Sequence, residues 1–146
     1  LCEWTEEKKT DLVCEALRLY QNLLVTQGKY GDALPFAEQA CNLVAIAYNP
    51  VHPKVQKAAG TLIECLMHKD NLYNAERFAE ATLDSLRDPA NGFDQESEAV
   101  ARGYYDLANV LSKQQGDFRK AEKLGRESLR IRTRIYNNDH RRVGLT

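Results

Sequence analysis

The chain has 146 residues, 43% hydrophobic and 28% charged, with four prolines and a formal net charge of -1. That length carries one domain with a real core, the composition excludes a disordered or fibrous chain, and the charge gives no overall pull toward nucleic acid or anionic membrane. No apolar run approaches the roughly 18 residues that a membrane-spanning helix needs.

The first element is an amphipathic helix predicted from about Thr5 to Gln27. Thr5 can cap it, and Glu6 and Glu7 suit its first turn. Its apolar residues Leu12, Val13, Ala16, Leu17, Leu19, Tyr20, Leu23 and Leu24 spread over two adjoining faces, as in a helix packed on both sides. Gly28 ends it. A second helix, about Tyr30 to Tyr48, carries a stripe of Ala33, Ala37 and Ala40 that lets a partner helix approach closely. Pro35 removes one of its backbone bonds.

Asn49-Pro50-Val51-His52-Pro53 breaks the chain. A third helix follows from about Pro53 to Lys69, with Val55, Ala59, Leu62, Ile63 and Leu66 inward. The fourth, about Tyr73 to Leu86, uses Ala75, Phe78, Ala79 and Leu83. Arg87 to Asp94 is a loop by its Pro, Asn and Gly content. The fifth helix is predicted over about Gln95 to Gln114 and the sixth over about Phe118 to Tyr136. A further unit is expected to open at Asp139-His140, because His140 and Val143 repeat the relation of His52 to Val55.

One short pattern recurs three times: Gly28-Lys29-Tyr30-Gly31-Asp32-Ala33, Asp70-Asn71-Leu72-Tyr73-Asn74-Ala75 and Gly116-Asp117-Phe118-Arg119-Lys120-Ala121. Each sets a turn former, a large apolar residue and then an alanine between two amphipathic stretches. The alanines lie 42 and then 46 residues apart, a helix-pair period. Such a pair cannot bury its apolar face alone, so neighbours stack and leave an extended surface suited to binding another protein.

The expected fold is all-α: three helix pairs, at about 5–48, 52–87 and 95–136, with a partial fourth at 139–146, forming one domain over 1–146. Because the chain starts at Leu1 rather than Met, it is expected to be a fragment of a longer array.

The cysteines Cys2, Cys14, Cys41 and Cys65 are scattered, with no C-x-x-C pair and no histidine at metal-ligand spacing. They are expected to be free thiols in a reducing, cytoplasmic setting. No metal site and no cofactor are predicted, and no nucleophile has a base placed beside it in sequence. An enzyme is not expected.

Gln27-Gly28-Lys29-Tyr30-Gly31-Asp32-Ala33-Leu34-Pro35-Phe36, the His52-Pro53-x-Val55 and Asp139-His140 openings, and Arg126-Glu127-Ser128-Leu129-Arg130-Ile131-Arg132 resemble tetratricopeptide repeats. The likeness is to the longer-helix kind found in kinesin light chains. The resemblance implies a right-handed α-solenoid whose first helices line a concave groove. Where that family carries a cargo-facing N-N pair, this chain has Arg18-Leu19, Gly60-Thr61 and Tyr105-Asp106.

The resemblance makes the groove-facing polar residues the binding candidates: Arg18 and Asn22; Lys57, Glu64 and His68; and Arg102, Tyr105, Asn109 and Lys113. The expected partner is a protein, presenting a peptide or helix with acidic and apolar residues interspersed, as Arg forks and Tyr contact area favour. Arg126, Arg130, Arg132, Arg134, Arg141 and Arg142 make the last helix basic. An acidic partner or nucleic acid on that helix is the alternative, though it lacks aromatics for base stacking. A further alternative is a non-catalytic regulatory segment of a larger enzyme. His52 and His140 are read as turn or capping residues. Trp4 is read as packing against a neighbouring unit.

Overall fold

A computed structural model gives the fold and describes residues 5–114 and 118–144. Cys2, Trp4, the Gly116-Asp117 turn and Thr146 lie outside the described residues, as do the side chains of Glu7 and of 140–144. Among the described residues there are six α-helices and no strand. They are α1 (Glu6–Thr26), α2 (Tyr30–Ala47), α3 (Pro53–His68), α4 (Leu72–Arg87), α5 (Glu98–Lys113) and α6 (Phe118–Gly144), with a short 3₁₀ turn at Pro89–Asn91. The chain divides into two compact units, Leu1–Ala75 and Glu76–Thr146, with the boundary inside α4.

Local chemistry sets the helix ends. The Thr5 hydroxyl accepts from the Lys8 amide at 3.2 Å and starts α1. His52 does the same for α3, its Nδ1 accepting from the Lys54 amide at 3.1 Å with Pro53 next in line. The first two recurring turns are alike in detail. Gly28 (φ +75) and Asp70 (φ +57) both adopt the left-handed conformation. The Lys29 amide donates to Leu24 O at 2.8 Å and the Asn71 amide to Leu66 O at 2.9 Å, each satisfying a carbonyl left over at a helix end. Glycine reaches that conformation without cost; Asp70 reaches it as one of the few side chains that tolerate it.

In the first unit α1 packs on α2, and α2 on α3. Ala33, Ala37 and Ala40 form the buried stripe of α2 together with Val44, while α3 buries Ala59, Leu62, Ile63 and Leu66. Small side chains on α2 let the helices approach closely. Pro35 stands within α2 without ending it.

In the second unit α5 packs on α6. Gly103 is what brings α5 close to α4, because a methyl group there would lie 3.0 Å from Leu83 Cδ1. The Ser128 hydroxyl of α6 donates to the Ala101 carbonyl of α5 at 2.8 Å, satisfying a buried polar group. Ala75 and Ala121, the counterparts of Ala33 in the recurring pattern, are likewise buried.

Two boundaries differ from expectation. Helix α5 starts at Glu98 rather than near Gln95, because Ser97 provides the cap, accepting from the Val100 amide at 3.4 Å. Gln95 is drawn into the loop instead, its amide donating to Leu86 O at 3.0 Å. Helix α6 runs on through Asp139 and His140 to Gly144. His140 therefore sits inside a helix, not at a helix start like His52, and the expected break before a fourth unit is not seen. No proline or glycine interrupts 137–143, so nothing in that segment stops helix propagation.

Candidate functional site

In the first unit, a cleft of about 130 Å³ is lined by α1 and α3, with α2 residues Ala40 and Val44 also facing it. From α1 come Asp11, Cys14, Glu15, Arg18 and Gln21, at the i, i+3, i+4, i+7 spacing that puts them on one helical face. Lys54, Lys57, Ala58 and Thr61 come from α3.

One end of the cleft is closed by a polar cluster. Lys54 Nζ donates to Asp11 Oδ1 at 2.7 Å and lies 3.1 Å from the Tyr48 hydroxyl, which itself donates to Asp11. The Tyr48 ring stacks on His52 at 4.1 Å. Hydrogen bonds from Lys54 and Tyr48 hold the Asp11 carboxyl below its usual range, and the bond to Asp11 raises Lys54 and Tyr48. These three side chains are thus occupied with one another. Among the described residues, Arg18 and Lys57 have no ion-pair partner. The cleft combines an apolar wall with two uncommitted cations, and Glu15 is the acidic group beside them.

The structure therefore brings Arg18 and Lys57 together. Asn22 lies exposed one turn beyond Arg18 on α1, and Glu64 is exposed on α3 outside the cleft lining. His68 is not in the cleft either. It is exposed and stacks on Tyr30 at the α2 start, at 4.0 Å with the rings 10° from parallel. Asp11, Cys14, Gln21, Lys54 and Thr61 are cleft residues not singled out from sequence. Their spacing from Arg18 and Lys57 along the same helical faces is the signal that marks them.

The second unit holds the remaining candidates on α5. Arg102 is partly buried, with Nε 3.9 Å from Asp106 Oδ2, one helical turn on. That Nε is buried and has no hydrogen-bond partner among the described residues. Asp106 is only 16% exposed. Burial pushes its carboxyl up to about 6, against the opposing pull of Arg102 and Arg132. Tyr105 is exposed and carries the Arg132 guanidinium over its ring at 5.3 Å. Arg132 is also held by Glu98, its Nε donating at 3.2 Å. Asn109 and Lys113 are exposed further along α5.

Residues 100–142 match the tetratricopeptide repeat family. The matched repeat takes in most of α5 and α6, the third helix pair expected from the sequence. No curated protein matches the chain.

Arg126, Arg130 and Arg134 of α6 are held by carboxylates, as Arg132 is by Glu98. Arg126 pairs with Glu122 at 2.6 Å, Arg130 with Glu127 at 3.0 Å and Glu96 at 3.1 Å, and Arg134 with Glu96 at 3.6 Å. Cys14, Cys41 and Cys65 are free thiols. Burial pushes Cys41 up to about 12 and Cys65 to about 11, which removes them as nucleophiles at neutral pH. Among the described residues no group of three or more His, Cys, Asp or Glu could hold a metal ion. No helix among them is long and apolar enough to cross a membrane.

Proposed function

We propose that the chain is a protein-recognition scaffold, a right-handed solenoid of tetratricopeptide repeats of the kinesin light chain kind, that binds a peptide or helix of a partner. It has two candidate surfaces, the cleft between α1 and α3 in the first unit and the exposed face of α5 in the second. The observation that carries this reading is the pairing of Arg18 and Lys57 across a cleft with Ala40 and Val44 on its wall. An uncommitted guanidinium and ammonium beside apolar surface suit a ligand that alternates acidic and small apolar side chains, since a guanidinium binds carboxylate through two parallel bonds. The neighbouring Asp11, Lys54 and Tyr48 satisfy one another and shape the end of the cleft without competing for such a ligand.

The basic helix α6 is the weaker binding surface. There Arg126, Arg130, Arg132 and Arg134 face Glu122, Glu127, Glu96 and Glu98, so a polyanion would compete with those carboxylates for them. The repeat match also favours protein recognition over catalysis, because tetratricopeptide repeats generally act as interaction modules.

A peptide-display selection tests the reading. Peptides enriched on the wild-type protein should carry acidic residues and should be lost on Arg18→Glu with Lys57→Glu. Enrichment that survives those changes but disappears on Arg126→Glu with Arg134→Glu would place the ligand on α6 instead.

A further inference from the structure

Resting on the reading of α5 as part of the ligand surface, we propose that Asp106 gates Arg102. The ionised carboxylate holds the guanidinium, and its protonation releases that guanidinium to a carboxylate of an acidic peptide.

The geometry is that of a cation held but not satisfied. Arg102 Nε approaches Asp106 Oδ2 no closer than 3.9 Å, beyond hydrogen-bond reach, and finds no other acceptor among the described residues. The buried Nε carries the desolvation cost of an N–H without an acceptor, while the Arg102 side chain as a whole is 41% exposed and open to a ligand carboxylate. Asp106 attracts Arg102 through charge while giving it no bond. Tyr105, the residue between them in sequence, offers exposed contact area for the apolar part of a ligand.

The charged groups acting on Asp106 are Arg102 on its own helix and Arg132 from α6. Arg132 is committed to Glu98 and to the Tyr105 ring, so Arg102 is the cation that Asp106 controls. Burial keeps the Asp106 carboxyl at about 6, close enough to neutrality for modest acidification to neutralise it. Once it is neutral, the site gains one unit of positive charge and loses the carboxylate that would repel an anionic ligand. Linkage requires the converse: a bound carboxylate beside Asp106 favours its protonated form, so binding takes up a proton.

Hexa-aspartate is a suitable probe, because its side chains stay ionised above pH 5.5 given an ordinary Asp value near 3.9. Its affinity for the full chain should be about fivefold higher at pH 5.5 than at pH 7.5, within the usual range of coupling between two sites. Asp106→Asn should bind at both values as the wild type does at pH 5.5, and Arg102→Gln should lose binding at both. In parallel, the carboxyl carbon of Asp106, followed by NMR, should titrate near pH 6. Titration in the ordinary carboxylate range, or an unchanged pH slope in Asp106→Asn, would overturn the gate and leave the groove reading intact. Absence of Arg102-dependent binding in both the wild type and Asp106→Asn at either pH would overturn the groove reading on α5 together with the gate.

Discussion

Lys54 Nζ lies 2.7 Å from Asp11 Oδ1, a contact that ties the first turn of α3 to the first half of α1 across the end of the cleft. It spans the two helices that carry Arg18 and Lys57, each of which packs on α2. The folded state holds the Asp11 carboxyl below its ordinary value, so its contribution to stability is present above the ordinary carboxylate range and is lost as pH falls through the lowered folded value. Asp11→Asn should therefore lower the thermal midpoint at pH 7 and lose that effect in strong acid. Equal midpoints for the two proteins at pH 7 would mean that the contact does not contribute.

Asp106 carries the opposite sign. Its folded value of about 6 lies above that of the unfolded chain, so the ionised group costs stability once pH exceeds about 6, and the cost disappears below the ordinary Asp range. Asp106→Asn should stabilise the protein by about 1–3 kcal/mol at pH 7.5 and by little at pH 4. Chemical denaturation at the two pH values checks this. A destabilised variant at pH 7.5 would show that the ionised carboxylate contributes more through Arg102 than its burial costs.

Ala33 and Gly31 lie two residues apart in α2 and should respond in opposite ways. Ala33 is fully buried. Ala33→Leu should destabilise by about 1–3 kcal/mol through overpacking. At Gly31 an added methyl would come within 2.5 Å of Lys69 Cε, the far part of a flexible side chain that can swing away. Gly31→Ala should therefore be neutral or stabilising by up to about 1 kcal/mol, from the helix preference of Ala over Gly. Thermal melts of the two variants separate these outcomes, and a larger loss for Gly31→Ala than for Ala33→Leu would contradict the packing described.

Much of this fold is legible in the sequence because local rules and packing agree in it. The Gly28 and Asp70 turns, the caps at Thr5 and His52, and the buried Ala33, Ala75 and Ala121 follow from spacing and residue type alone. Two boundaries depart from the pattern for separate reasons: Ser97 caps α5 in place of Gln95, and α6 continues because nothing in 137–143 breaks a helix.

Of the candidate sites the sequence carries only part. Helical register nominates Arg18, Lys57, Arg102 and Tyr105, but it does not encode which polar side chains are already occupied. His68 is taken by Tyr30, and Asp11 by Lys54 and Tyr48, through contacts between residues distant in sequence. The pattern on α5 alone does not mark Asp106, because its burial depends on how α5 and α6 pack.

The most direct test of the groove is the affinity of one display-selected acidic peptide for the wild type, for Arg18→Glu with Lys57→Glu, and for Arg126→Glu with Arg134→Glu, measured by calorimetry on the full chain. The cleft reading predicts a loss of about tenfold or more for the first pair of changes, as expected for hot-spot residues, and near wild-type affinity for the second. Wild-type affinity in the cleft variant, with binding abolished by the α6 changes, would contradict it.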